Sequence, residues 1–136
     1  IPGTQGFISL LDAGIYSGAW LFGPLGGLWI GILSAGLLDF LSGYPQWMLF
    51  SILIHGVQGL IVGSFYKKLS LAIAFLPMML ASLWMIIGYV IAGSILYGFG
   101  AGIASIPSNI IQNLAGIIVA YPIIYAMKRQ NKTLHS

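Results

Sequence analysis

From Ile8 to Tyr66, and again from Leu69 to Met127, the sequence runs through long apolar stretches that hold two formal charges, Asp12 and Asp39. That scarcity limits the possible folds more than any motif does. A soluble domain carries about a quarter charged residues, whereas here 5% are charged and 59% hydrophobic. There is too little charge to coat a surface facing water. A mean hydropathy of +1.00 agrees, so lipid is the expected solvent. The apolar runs are continuous, unlike the short alternating segments of a membrane barrel. Helices are the remaining way to satisfy every backbone group in hydrocarbon. At about 20 residues per span, the expectation is an all-α integral membrane protein. It is one transmembrane helical domain over residues 1–136, with spans at about 8–22, 25–41, 48–66, 71–97 and 106–127.

All five cations fall in two clusters, Lys67-Lys68 and Lys128, Arg129 and Lys132. They read as membrane-edge anchors, so the net charge of +3 is no sign of a nucleic-acid partner. Two spans separate the clusters, which places both on one face, the cytoplasmic one by the positive-inside rule. The expected location is a multi-pass protein of the cell membrane with a cytoplasmic C-terminus. Cysteine is absent, which excludes disulfides, thiolate metal sites and cysteine nucleophiles. The chain opens at Ile1 with IPGTQGF, which is no signal peptide, and a preceding segment is expected.

Turn residues and small residues organise the spans. Pro2, Gly3 and Gly6 mark residues 1–7 as a loop, and Gly23-Pro24 reads as a tight turn between the first two spans. Gly14 and Gly18, then Gly27, Gly31 and Ala35, then Gly59 and Gly63, form stripes at four-residue spacing. Such stripes let neighbouring backbones approach closely. SGYPQW, Ser42 to Trp47, reads as a polar and aromatic turn. Pro77 marks a kink or a later start of the fourth span, and GFGAGIASIP reads as a glycine-rich loop before the fifth.

The fifth span opens with carboxamides. Asn109, Gln112, Asn113 and Gly116 share one helical face by their spacing. The topology puts that end on the external side, together with Asp39 and the SGYPQW turn. His55 and Gln58 lie one turn apart, and Met85, Tyr89, Gly93 and Tyr97 form another stripe. The candidate set is Asp39, Tyr44, Gln46, Trp47, His55, Gln58, Tyr89, Tyr97, Asn109, Gln112 and Asn113. Planar amides, an imidazole, phenols and an indole suit a small, flat, polar heteroaromatic ligand. Eight of these are taken as substrate-binding: Asp39, Trp47, His55, Gln58, Tyr89, Asn109, Gln112 and Asn113. Each has a plainer reading. Asp39 can cap a segment, His55 can be a bonded core residue, the amides can join helices, and Tyr97 suits an interfacial belt. Asp12 is read as structural.

Catalysis finds no support. His55 has no second embedded histidine for a metal or haem pair, so neither metal nor cofactor is expected. No GxSxG turn and no acid pair occurs. A stand-alone channel or proton-coupled carrier is the alternative. A carrier of that kind needs an acid in mid-membrane, and both aspartates are placed near span ends. A purely structural subunit would account for the glycine stripes and leave the clustered polar groups unexplained.

The string LLDAGIYSGAWLFGPLGGLWIGILSAGLLDFLSGYPQWMLFSILIHGVQGLIVG resembles the substrate-binding S components of energy-coupling factor (ECF) vitamin transporters. PSNIIQNLAGIIVAYPIIYAMKR is similar to that family's last helix. The resemblance implies six helices, the first preceding Ile1, with residues 1–7 as the loop that lids the pocket. It also implies capture of a vitamin at the external face, and partnership with a transmembrane coupling subunit and two ATPases. ATP hydrolysis would then topple the S component to open the site inward. SGYPQWM and HGVQG look most like members assigned to hydroxymethylpyrimidine or pyridoxine uptake. Riboflavin and thiamine remain alternative substrates.

Overall fold

The first helix, α1 (Gln5–Leu41), has 37 residues. At 1.5 Å per residue it would span about 55 Å, nearly twice a hydrocarbon core of about 30 Å. It fits because it is bent. Gly23 breaks the helix with φ 88° and ψ −169°, a backbone open to glycine, and Pro24 follows it. Beyond the break the two arms fold back on each other. The Ile30 side chain packs against Gly18, and Ala19 faces Gly27, pairs placed nearly symmetrically about the bend.

The computed structural model describes residues 5–66 and 68–135, with side chains from Leu10 to Arg129 except Lys67. After α1 come α2 (Pro45–Gly63), a 3-10 turn at Leu71–Ile73, α3 (Phe75–Tyr97), the short α4 (Phe99–Ala104) and α5 (Ile106–His135). Among the described residues, four helical stretches are long and apolar enough to cross a membrane: Leu10–Leu41, Pro45–Gly63, Leu71–Tyr97 and Phe99–Arg129. The all-helical membrane class is as expected. Against five expected spans there are four such helices, the first two expected spans being the two arms of one helix broken at Gly23.

Two local expectations also change, and a third is narrowed to one of its alternatives. Gln5, Gly6 and Phe7 are helical where a loop is expected at residues 1–7, and residues 1–4 of that expected loop lie outside the described residues. The GFGAGIASIP stretch is mostly helix, since α4 occupies Phe99–Ala104 between Gly98, at φ 102°, and Ser105. Pro77 falls in the first turn of α3 and marks a later start, not a kink.

Glycines set the closest crossing. A Cβ at Gly27 would meet the Gly59 carbonyl, one at Gly31 the His55 carbonyl, and one at Gly63 the Gly23 carbonyl. The C-terminal arm of α1 and α2 thus run antiparallel, backbone against backbone, from the Gly23–Gly63 contact to the Gly31–His55 contact. The opposite face of that arm is an apolar stripe, with Leu25, Trp29, Leu33, Leu37 and Leu41 all exposed. This is the face lipid would cover. α5 closes on the other arm, where a Cβ at Gly116 would meet Asp12. The apolar core, built on Tyr16, Trp20, Met78, Ala120 and Ile124, fills the half of the bundle nearer the bend.

The bundle therefore has two unlike ends. Gly23 packs against Tyr66, and the Lys128 ammonium lies 5.6 Å from the centre of the Trp20 ring. Bend, basic residues and core gather at one end. Lys67 itself lies outside the described residues. The other end collects the 38–47 connection, the α3–α4 junction and the start of α5, and there the packing opens.

Candidate functional site

Each wall of that open end follows from helical periodicity. Trp47, Ser51 and His55 recur every four residues along α2, so they share one face over about 12 Å. Met85 and Tyr89 do the same on α3, while Ser105, just before α5, and Asn109 and Gln112 at its start follow spacings of four and three residues. Together with Ala35, Leu38, Asp39, Ser42 and Tyr44 they line a cavity of about 370 Å³. Trp47 and Tyr89 rings stand 5.9 Å apart, and His55 and Tyr89 rings 5.7 Å apart. The Ser51 and Tyr89 hydroxyls are joined at 2.8 Å. Asp39 presents a buried Oδ2 with no hydrogen-bond partner among the described residues. An aromatic wall thus faces amide and carboxylate groups across a gap of ligand size.

Six of the eight expected site residues line this cavity: Asp39, Trp47, His55, Tyr89, Asn109 and Gln112. Gln58 and Asn113 do not. Both are fully buried behind it. Of the wider candidate set, Tyr44 lines the cavity. Gln46 donates to the Tyr97 hydroxyl at 3.1 Å on the exposed surface. Tyr97 also sits 5.8 Å from the Trp47 ring, which leaves it supporting the rim.

Behind the cavity lies a polar network that joins α1, α2, α3 and α5. Its centre is Asp12, wholly buried. Gln112 Nε2 donates to Asp12 Oδ2 at 2.7 Å, and Gln58 Nε2 approaches Asp12 Oδ1 at 3.4 Å. His55 Nδ1 lies 2.6 Å from Gln58 Oε1 and 3.7 Å from Asp12 Oδ1. Gln58 Nε2 also donates to the Tyr16 hydroxyl at 2.8 Å and to Asn113 Oδ1 at 3.2 Å. The Tyr16 hydroxyl bridges Asn113 Oδ1 and Ser82 Oγ, each at 2.7 Å. Polar groups without water are costly unless bonded; every one of these has a partner.

Asp12 was expected to sit near a span end as a structural residue. The earlier start of α1 instead puts it about two turns inside the helix, in direct contact with cavity-lining Gln112. Tyr16 escaped the sequence reading altogether. The available signal was its i+4 spacing from Asp12, which places both on one face. Among the described residues no cluster of three or more metal-binding side chains occurs.

Residues 1–129 match the sequence profile of a family described as "ECF-type riboflavin transporter, S component". The chain is 40% identical over 121 residues to a protein of Lactococcus lactis subsp. cremoris named "Thiamine precursor transporter HmpT", covering 88% of this chain and 69% of that one. It is 37% identical over 131 residues to an uncharacterised Pyrococcus woesei protein, covering 96% of this chain and 88% of the other. A bent glycine-packed membrane bundle with an aromatic and amide cavity at one end accords with these matches, and the chain belongs to the family of S components of ECF-type transporters.

Proposed function

We propose that the chain captures a small heteroaromatic vitamin or vitamin precursor, a hydroxymethylpyrimidine first and pyridoxine second, in the cavity between α1, α2, α3 and α5. The observation that carries this reading is the cavity's chemistry. Trp47, Tyr89 and His55 offer faces on which one ring can stack, while Asn109, Gln112 and Asp39 offer edges that read ring nitrogens, an amine and a hydroxymethyl group. The size supports a single ring: about 370 Å³ is near the low end of the usual range of about 300–1,000 Å³ for ligand pockets. The Lactococcus relative, named for a thiamine precursor, supports the same class. Riboflavin, named in the family description, is a three-ring ligand with a long polar tail and fits this volume less well.

In this reading the cavity faces outward, because Lys68, Lys128 and Arg129 mark the opposite end as cytoplasmic. The chain works with a transmembrane coupling subunit and two ATPases, whose ATP hydrolysis drives release to the inside. The protein has four tryptophans, and of these Trp47 lines the cavity. Titrating the purified protein with a hydroxymethylpyrimidine is expected to quench tryptophan fluorescence saturably, and Trp47→Phe to remove most of that signal. No saturable response to any member of a vitamin panel sinks the proposal.

A further inference from the structure

The hydrogen-bond network behind the cavity fixes which atoms the deep wall shows to a ligand. The backbone carbonyl of Asn109 can only accept, and it takes a hydrogen bond from Asn113 Nδ2 at 2.8 Å. Asn113 must therefore turn Oδ1 the other way, where it accepts from the Tyr16 hydroxyl at 2.7 Å and Gln58 Nε2 at 3.2 Å. With its nitrogen committed to acceptors, Gln58 presents Oε1 to His55 Nδ1 at 2.6 Å. An amide oxygen cannot donate, so Nδ1 carries the hydrogen. In the neutral ring Nε2 then keeps its lone pair. The Asp12 carboxylate works in the same way on Gln112. It takes the Nε2 donor at 2.7 Å and leaves Oε1 for the cavity. His55 and Gln112 line the cavity, whereas Asp12, Gln58 and Asn113 do not.

We infer that Asp12, Gln58 and Asn113 are positioning residues that make the deep wall a pair of hydrogen-bond acceptors, His55 Nε2 and Gln112 Oε1, so that the cavity selects a ring edge bearing N–H or O–H donors over one bearing a carbonyl. Asp39, with its unpartnered Oδ2, adds a third acceptor on the same cavity. The inference rests on the heteroaromatic reading above and deepens it. The preferred ligand is an amino-substituted ring, and its oxo counterpart is disfavoured because it would set a carbonyl against lone pairs.

The test compares the purified full chain's affinity for a 4-amino-5-hydroxymethylpyrimidine with that for its 4-oxo counterpart. The amino compound is expected to bind about tenfold tighter or more. Equal binding overturns the inference and leaves the heteroaromatic reading standing; binding of neither overturns the inference together with the choice of a hydroxymethylpyrimidine as first ligand. Asp12→Asn offers Gln112 an amide of either orientation and is expected to shrink the amino-to-oxo ratio to about threefold or less. A merely structural Asp12 would weaken both ligands alike and preserve the ratio, which overturns its positioning role. Should that variant not fold, ¹⁵N chemical shifts of the His55 ring in the unmodified protein decide. They are assigned by loss of the signal in His55→Gln. A hydrogen on Nδ1 supports the inference, and one on Nε2 overturns it.

Discussion

The two arms of α1 meet the rest of the bundle by opposite means. The C-terminal arm lies on α2 through Gly27, Gly31, Gly59 and Gly63, with backbone touching backbone and no side chain between. The N-terminal arm is tied to α2, α3 and α5 through Asp12 and Tyr16, by hydrogen bonds between buried side chains. In lipid there is little hydrophobic drive between helices, so both seams depend on contacts that lipid tails cannot make. The glycine seam gains dispersion contacts and tolerates no added atom. The polar seam gains specificity, because each amide has one orientation that satisfies its neighbours. The cavity borders the polar seam. A binding site placed there inherits oriented donors and acceptors, while the glycine seam holds two of its walls at fixed spacing.

The harshest way to break this contrast is to enlarge the glycine seam. Gly59→Leu sets a Cβ against the Gly27 backbone, which has no side-chain freedom with which to yield. The cost is expected to reach about 3 kcal/mol, the upper end for overpacking. It should appear as a large fall in Tm or a lost monodisperse peak in detergent. Gly14→Leu, on an exposed face with nothing near its Cβ, is the matched control, expected to stay within about 0.5 kcal/mol. Equal effects from the two would remove the case for a tight seam.

A smaller effect separates the polar seam from the cavity it borders. Asn113 is buried in the network, whereas Asn109, four residues earlier, lines the cavity. Asn113→Leu leaves Gln58 and Tyr16 short of an acceptor and is expected to cost about 1–2 kcal/mol of stability. Asn109→Leu should leave Tm nearly unchanged and weaken pyrimidine binding by about tenfold, the loss of one good hydrogen bond to the ligand. Thermal unfolding and titration of both variants check this. A stability loss in Asn109→Leu with affinity intact would exchange the two roles.

That division of labour marks where sequence reading stops. Spacing alone placed His55 beside Gln58, put Gly27, Gly31 and Ala35 on one face, and set a break at Gly23-Pro24. These are properties of one helix, and the 3.6-residue repeat determines them. The same repeat groups Asn109, Gln112 and Asn113, but it cannot separate them. The face they share is wide enough to border the cavity at one edge and meet α2 and α3 at the other. Asp12 was set aside because its depth depends on where α1 begins, and helix starts are weakly encoded when no cap marks them. α4 was read as loop because of its glycines. Yet Gly102 is what lets α4 pack on α3, where a Cβ would meet Ser94 and the Val90 carbonyl. Packing there overrides a propensity cost of about 1 kcal/mol per glycine.

The smallest expected effect lies at the end of the bundle farthest from the cavity. Lys128 sits over the buried Trp20 ring, next to the bend that joins the two arms. An exposed cation–π contact contributes about 0.5–1 kcal/mol. Lys128→Gln should therefore lower Tm slightly and leave ligand affinity within about twofold. The physical reason is distance, because apolar residues around Trp20 and Ile124 surround the contact, and Tyr16 is the member of that core whose hydroxyl reaches the network around Asp12. An affinity change comparable to that of Asn109→Leu would mean that the two ends are coupled. The apolar half would then be a transmitting element between bend and cavity instead of a passive core, and the contrast between the two seams of α1 would have to be redrawn along the whole helix.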